Sequence, residues 1–296
     1  GRKGQAIVDM NNKAVDRAGD ALIKVNVPES WKHAESSIEP VQDVPDFVKN
    51  IQFPMARHEG DELPVSAFVG MEDGTFPAGT TAYEKRGIAV KVPEWQPEKC
   101  IQCNQCSFVC PHATIRAFLA DDDEKGSAPE EFITLKPVGK GFDGLHYRIQ
   151  VSPLDCTGCG NCADVCPAPG KALIMRPAEE QIAQQAGNWE FAMTLTPKVD
   201  RTDTTTLKGS QFKRPLFEFN GACPGCGETP YYRLITQLYG ERMMIANATG
   251  CTSIYCASAP SIALTTNEEG KGPSWANSLF EDNAEFGYGM YLGVKQ

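Results

Sequence analysis

Twelve of the 296 residues are cysteines, and eight of them fall in two tight runs. Cys100, Cys103, Cys106 and Cys110 form the first, and Cys156, Cys159, Cys162 and Cys166 the second. Each run has the spacing C-x2-C-x2-C-x3-C and is followed by proline, at Pro111 and Pro167. Thiolates are soft metal ligands, and clustered cysteines in a long chain without an export signal point to metal rather than to disulfides. A four-iron cubane needs four thiolates placed as a tetrahedron. Three from one tight loop cover a single side, so the fourth must arrive from elsewhere.

The spacing is that of bacterial ferredoxins carrying two 4Fe–4S clusters, in which the cysteine before proline reaches the other cluster. One cluster is therefore assigned to Cys100, Cys103, Cys106 and Cys166, and the other to Cys156, Cys159, Cys162 and Cys110. Zinc is the competing reading, but it favours paired C-x2-C units with a longer spacer. Adjacent clusters without a substrate pocket between them imply one-electron relay. His112, beside Pro111, reads as a packing or hydrogen-bonding residue. Pro111 is expected to start a short helix through Ile115 and Phe118.

The two runs belong to an internal repeat, residues 97–118 and 153–174, offset by 56 positions. The insert between them holds the acidic run Asp121–Glu124, read as a solvated loop. Upstream, Val15, Ala18 and Leu22 recur at helical spacing, as in the tail of a preceding α/β domain over 1–38. Residues 39–88 are broken by Pro40, Pro45, Pro54, Pro64 and Pro77 with several glycines, and read as an irregular linker. The two-cluster part is placed at 89–195. From 196 to 296 the pattern turns to α/β. Thr229 can cap a helix with Pro230 in its first turn, Tyr231, Leu234, Ile235 and Leu238 share a face, and Gly240 closes it. The strand-like run Arg242–Ala246 follows. Trp275 and Phe280 read as core residues.

A second cysteine group, Cys223, Cys226, Cys251 and Cys256, could on spacing alone be a zinc site, a further cluster, or partly inert. Its surroundings carry a resemblance. The runs Gly221–Tyr231 (GACPGCGETPY), Asn247–Tyr255 (NATGCTSIY) and Gly272–Glu285 closely resemble signatures of the pyruvate:ferredoxin (flavodoxin) oxidoreductases. The resemblance covers most of the chain from about residue 90. It implies a thiamine-diphosphate-binding α/β domain beginning within 196–296. It also implies a third, proximal 4Fe–4S cluster on Cys223, Cys226 and Cys251, its fourth cysteine lying outside this chain and Cys256 being a non-ligand thiol. Glu228 and Cys251 would line the site of thiamine diphosphate and its Mg2+, where the Glu228 carboxylate suits the ring nitrogen.

The implied activity is oxidative decarboxylation of pyruvate with coenzyme A to acetyl-CoA and carbon dioxide. Electrons would leave through three clusters to ferredoxin or flavodoxin, in a homodimer with the remaining portions of the enzyme. No catalytic residue is assigned. No Gly-Asp-Gly motif for the diphosphate occurs, so the chain reads as the interior of a longer polypeptide, inactive by itself. The alternative is a stand-alone two-cluster electron carrier with a structural third domain.

A formal charge of −10, with Lys and Arg scattered, excludes a nucleic-acid footprint. Mean hydropathy of −0.33 and the lack of a long apolar run exclude a membrane span and make the cytoplasm the expected place.

Overall fold

The computed structural model describes residues 4–33, 43–278, 280 and 282–296. It divides into two units, Gly1–Asp43 and Val44–Gln296. In the first, α1 (Gln5–Ala18) continues into a 3-10 turn over Gly19–Ala21 and has no buried residue. Val15 and Leu22 of its expected stripe are exposed.

The second unit opens with short turns, among them a π-helical turn (Val48–Gln52), α2 (Phe53–Ala56) and a 3-10 turn (Thr80–Tyr83). Prolines and glycines prevent any longer element here. Buried hydroxyls tie this stretch down. Thr80 Oγ donates to the Pro260 carbonyl at 2.6 Å, and Thr81 Oγ to that of Glu218 at 2.9 Å.

The cysteine repeats sit in a frame of two antiparallel ribbons. In chain order come β1 (Lys91–Trp95), α3 (Gln105–Phe108), β2 (Ile115–Asp121), α4 (Asp122–Gly126), β3 (Leu145–Val151), α5 (Asn161–Asp164), β4 (Leu173–Pro177) and α6 (Ala178–Thr194). The inner ribbon pairs β2 with β3, from Ile115↔Val151 to Asp121↔Leu145, and the outer pairs β1 with β4, from Lys91↔Pro177 to Trp95↔Leu173. Val92, Ile115, Leu119, Tyr147, Ile149, Val151 and Leu173 form the core with Cys110, Cys156 and Cys162. Each such large apolar side chain contributes about 1.5–3 kcal/mol by leaving water.

Two expectations are corrected in this frame. Residues 115–121 are a strand, not a helix: Ile115, Ala117 and Leu119 alternate at period two and find β3 as partner, and the short helix α3 lies before the Cys-Pro step instead. The acidic run is solvated as expected, with Asp122 and Asp123 exposed, but it starts a helix rather than forming a loop. Asp121 accepts from the Glu124 amide at 2.9 Å while Glu124 accepts from the Asp121 amide at 3.0 Å, a reciprocal cap.

Beyond α6 follow α7 (Leu207–Ser210), α8 (Thr229–Tyr239), β5 (Met244–Asn247), α9 (Cys251–Ala257), β6 (Ser261–Ile262), β7 (Ser274–Asn277) and α10 (Asn283–Lys295). Strands β5 and β7 pair in parallel, Met244↔Ser274 to Asn247↔Asn277. The fold is thus mixed α/β.

Helix α8 starts and ends near the expected residues but presents a different face. Glu228 holds the capping position, and the Thr229 hydroxyl is buried without a partner. Gly240 has right-handed dihedrals and leads into a 3-10 turn, so it makes no left-handed stop. Buried on α8 are Thr229, Arg233, Thr236 and Gln237, whereas Tyr231 and Ile235 of the apolar stripe are exposed. Polar hydrogen bonding to the ribbon domain, not an apolar stripe, seats this helix. Trp275 packs partly buried against Phe217, Tyr255 and Leu264, while Phe280 is exposed rather than core.

Candidate metal centres

Strand register decides which thiols meet. Ile115 faces Val151 across the inner ribbon; Cys110 lies five residues before the one and Cys156 five residues after the other. The outer ribbon likewise sets Trp95 against Leu173, so Cys100 and Cys166, just beyond them, converge. Two narrow cavities result. The first is lined by Cys100, Cys103, Cys106 and Cys166 with Trp95, Tyr147, Ile149 and Leu173. The second is lined by Cys110, Cys156, Cys159 and Cys162 with Pro93, His112 and Ile115. Each holds three thiols of one repeat and the fourth of the other.

The donor set suits an anionic iron–sulfur group. Neither lining includes a carboxylate. Backbone amides donate to sulfur: Thr114 to Cys110 at 3.4 Å, Gly158 to Cys156 at 3.4 Å and Ala172 to Cys166 at 3.3 Å. Burial, then the neighbouring thiols of its own cavity, pushes the Cys106 thiol up. Burial pushes Cys156 up to about 12. Burial, followed by the neighbouring Cys110, also raises the Cys162 thiol. Thiolates crowded into a dry cavity persist only beside a compensating cation, whose charge inverts these shifts. Among the described residues, no three His, Cys, Asp or Glu side chains converge as they would on one ion.

Both loops need left-handed backbone at matched positions. In the second copy these are Gly158 (φ 71°) and Gly160 (φ 81°); in the first they are Gln102 (φ 57°) and Asn104 (φ 61°). A side chain is costly there unless it is held. Gln102 donates to the Lys136 carbonyl at 2.9 Å and accepts from the Val138 amide at 2.7 Å. Asn104 donates to the Lys208 carbonyl at 2.9 Å and accepts from the Tyr147 hydroxyl at 2.7 Å. Sequence reading passed over both residues. Aligning the repeats, which puts glycines opposite them, is the signal that could have found them.

The remaining cysteines are dispersed. Cys223 and Cys251 are exposed, Cys226 is half-buried, and Cys256 is fully buried. Cys251 opens α9, and Tyr255, one turn along, lies near Cys226 and Glu228. Burial, opposed by the Tyr232 hydroxyl, takes Cys256 up to about 12 among Phe217, Tyr255 and Leu264. Exposed Glu228 donates its amide to Cys226 sulfur at 3.5 Å. The Cys223–Cys226 loop abuts the second cavity: a β-carbon on Gly225 would lie 3.6 Å from Cys159 Cβ. Between them is His112, 2% exposed, whose Nδ1 donates to the Asn220 carbonyl at 3.0 Å. Burial keeps its imidazole below the usual value and hence neutral.

Comparison with known proteins matches the sequence to iron–sulfur proteins. Residues 99–169 match the 4Fe-4S dicluster domain, and residues 34–89 match EKR, a domain of unknown function. The chain is 60% identical over 294 residues to the pyruvate-flavodoxin oxidoreductase of Enterobacter agglomerans, covering 99% of this chain and 25% of that protein. It is 57% identical over 295 residues to the pyruvate:ferredoxin oxidoreductase of Moorella thermoacetica, with the same coverage. Against the mitochondrial pyruvate dehydrogenase (NADP+) of Euglena gracilis the identity is 50% over 298 residues, 100% of this chain and 16% of that protein. The chain thus spans about a quarter of the length of the first two relatives. No described helix is long and apolar enough to cross a membrane. By its sequence and its dicluster frame, this chain is a segment belonging to the pyruvate:ferredoxin (flavodoxin) oxidoreductase family.

Proposed function

We propose that this chain is the electron relay, and one wall of the thiamine site, of an enzyme oxidising pyruvate with coenzyme A. The observation that carries the proposal is the pair of cavities in which three thiols of one repeat meet the fourth of the other. In this reading the first cavity takes one 4Fe–4S cluster on Cys100, Cys103, Cys106 and Cys166. The second takes another on Cys156, Cys159, Cys162 and Cys110. Cys223, Cys226 and Cys251 hold a third together with a cysteine outside this chain, and buried Cys256 is no ligand.

When bound, thiamine diphosphate with Mg2+ supplies an electron sink for decarboxylation of a 2-oxoacid. This chain's share of that site is Glu228 and Cys251. Glu228 would face the cofactor ring nitrogen, and Tyr255 lies beside it. The loop at Gly225, packed on Cys159, sets the order of relay: Cys223 loop, second cavity, first cavity. Apolar packing of Val92, Ile149 and Leu173 keeps water from the paired clusters.

The acceptor, a ferredoxin or flavodoxin, docks at the rim of the first cavity. Ile101 and Val138 are exposed there, and Lys208 Nζ is anchored on the Val138 carbonyl at 2.6 Å close to Cys100 and Cys103. Lys136 and Lys140 are exposed on the same segment. This local positive charge offsets a chain whose net charge is −10. The complete enzyme is a homodimer in this reading.

The test is anaerobic addition of pyruvate and coenzyme A to the intact, iron-loaded enzyme while the visible cluster absorbance is followed. Bleaching is expected. An iron-loaded protein that dithionite bleaches but pyruvate does not would reject the pyruvate assignment and favour a separate electron carrier.

A further inference from the structure

Arg233 is 1% exposed, although it belongs to α8 and lies outside both cysteine repeats. Among the described residues its guanidinium reaches only uncharged acceptors: Gln211 Oε1 at 2.9 Å, Gln237 Oε1 at 3.1 Å and the Phe108 carbonyl at 2.6 Å. Its Nε has no partner, and among the described residues no carboxylate lies within ion-pairing distance of it. A buried cation without a counter-charge is strongly disfavoured, so something in its surroundings must carry the negative charge.

The placement of Phe108 identifies it. Phe108 ends α3, the helix that carries Cys106 into the first cavity, and Cys110 of the second cavity follows two residues later. The guanidinium is therefore fastened to the short stretch of chain shared by both cavities. Burial lowers the Arg233 pKa to about 10 and the Arg116 cation acts in the same sense, while the Cys110 and Cys106 thiols oppose them. Two other buried arginines show the contrast. Arg116 is paired with Glu218. Arg148 lies over the ring faces of Phe132 (4.4 Å) and Trp95 (5.8 Å), and its pKa responds to burial alone.

We infer that Arg233 is a positioning residue for charge, shared by both cluster sites, whose guanidinium favours their reduced states. The inference rests on the cluster reading above. Adding one electron to a cluster adds one negative charge in a dry environment, and a fixed cation nearby lowers the energy of that state. Its position between the sites biases both potentials in the same direction. An electron arriving at the second site is then not trapped there by a mismatch with the first.

The experiment is an anaerobic redox titration, monitored by electron paramagnetic resonance, of the intact cluster-loaded enzyme and of Arg233→Met, Arg233→Lys and Gln211→Glu. Iron and acid-labile sulfide are assayed in each. Arg233→Met is expected to lower both potentials and Arg233→Lys to leave them near those of the unaltered enzyme. Gln211→Glu, which sets a carboxylate against the guanidinium and leaves the residues of α8 unchanged, is expected to lower both. If Arg233→Met does not retain its clusters, Gln211→Glu decides. Unchanged potentials in Gln211→Glu, or a shift at one site only, would overturn the inference. Absence of iron and sulfide from the unaltered enzyme would instead overturn the cluster reading.

Discussion

The Tyr147 hydroxyl donates to the Asn104 side-chain oxygen at 2.7 Å, joining the inner ribbon to a left-handed residue of the first cysteine loop. Removing this bond tests how the loop is held. In Asn104→Ala, the Tyr147 hydroxyl and the Lys208 carbonyl lose their partner. Buried unpaired groups cost about 1–3 kcal/mol, and the left-handed backbone adds roughly 1 kcal/mol for alanine. The urea midpoint should fall, with iron lost from the first site before the second.

Gly158 and Gly160 separate two costs that their positive φ angles share. A β-carbon on Gly160 meets nothing within 4 Å, so Gly160→Ala should cost only the backbone term, about 1–2 kcal/mol. On Gly158 it would lie 2.8 Å from the Lys91 carbonyl and 3.1 Å from Ala89 Cβ. Gly158→Ala must also displace β1, and thermal unfolding should show it clearly the less stable of the two. Equal melting temperatures would argue against this packing.

Crossed ligation makes a prediction that uncrossed ligation does not. Cys166→Ala should empty the first site and Cys110→Ala the second. Each variant should lose about four irons, and each should keep the spectrum of the site in the other cavity. Loss of the opposite spectrum in each variant would show that every repeat ligates its own cluster.

Glu124 should make stability pH-dependent. Burial raises its pKa, but the Lys198 ammonium at 2.9 Å and the amides of Asp121 and Thr196 outweigh it, leaving it below its ordinary 4.5. The ionised form is therefore favoured by folding. Its contribution is complete above pH about 4.5 and lost as pH falls through the lowered value. Glu124→Gln should lower stability at pH 7 by about 1 kcal/mol and flatten the acid limb of a stability–pH curve.

The Arg116–Glu218 pair is buried on both sides, at 5% and 1% exposure, and Arg116 lies 5.2 Å from the Trp189 ring centre. Glu218→Gln leaves a buried guanidinium without its counter-charge. A loss of about 3–5 kcal/mol is expected, together with a change in tryptophan emission.

The paired cysteine runs were legible because a cubane imposes short, fixed spacings that few other structures need. The repeat also showed that two loops would be equivalent. Which thiols share a cavity was implied by the motif, but the Ile115↔Val151 and Trp95↔Leu173 pairings realise it. The region after Pro111 was misread as helical because three apolar residues fit either period over so short a run. Its pairing with β3, drawn from the far side of an insert, settled the conformation.

Helix α8 marks the boundary most clearly. Its position was written in Pro230 and its local pattern, and the family signature around Cys223 and Cys226 stood out because glycine, proline and cysteine tolerate few substitutes. Its orientation was not. An apolar stripe ordinarily faces inward, yet here Arg233, Thr236 and Gln237 are buried and Tyr231 is exposed. Local sequence determined the elements and the ligand-bearing loops, since dihedral preferences and motif spacing act over a few residues. Only the tertiary structure decided that Arg233 would lie at the carbonyl between Cys106 and Cys110. That contact joins residues 125 positions apart, and it depends on hydrogen-bond partners that no local pattern specifies.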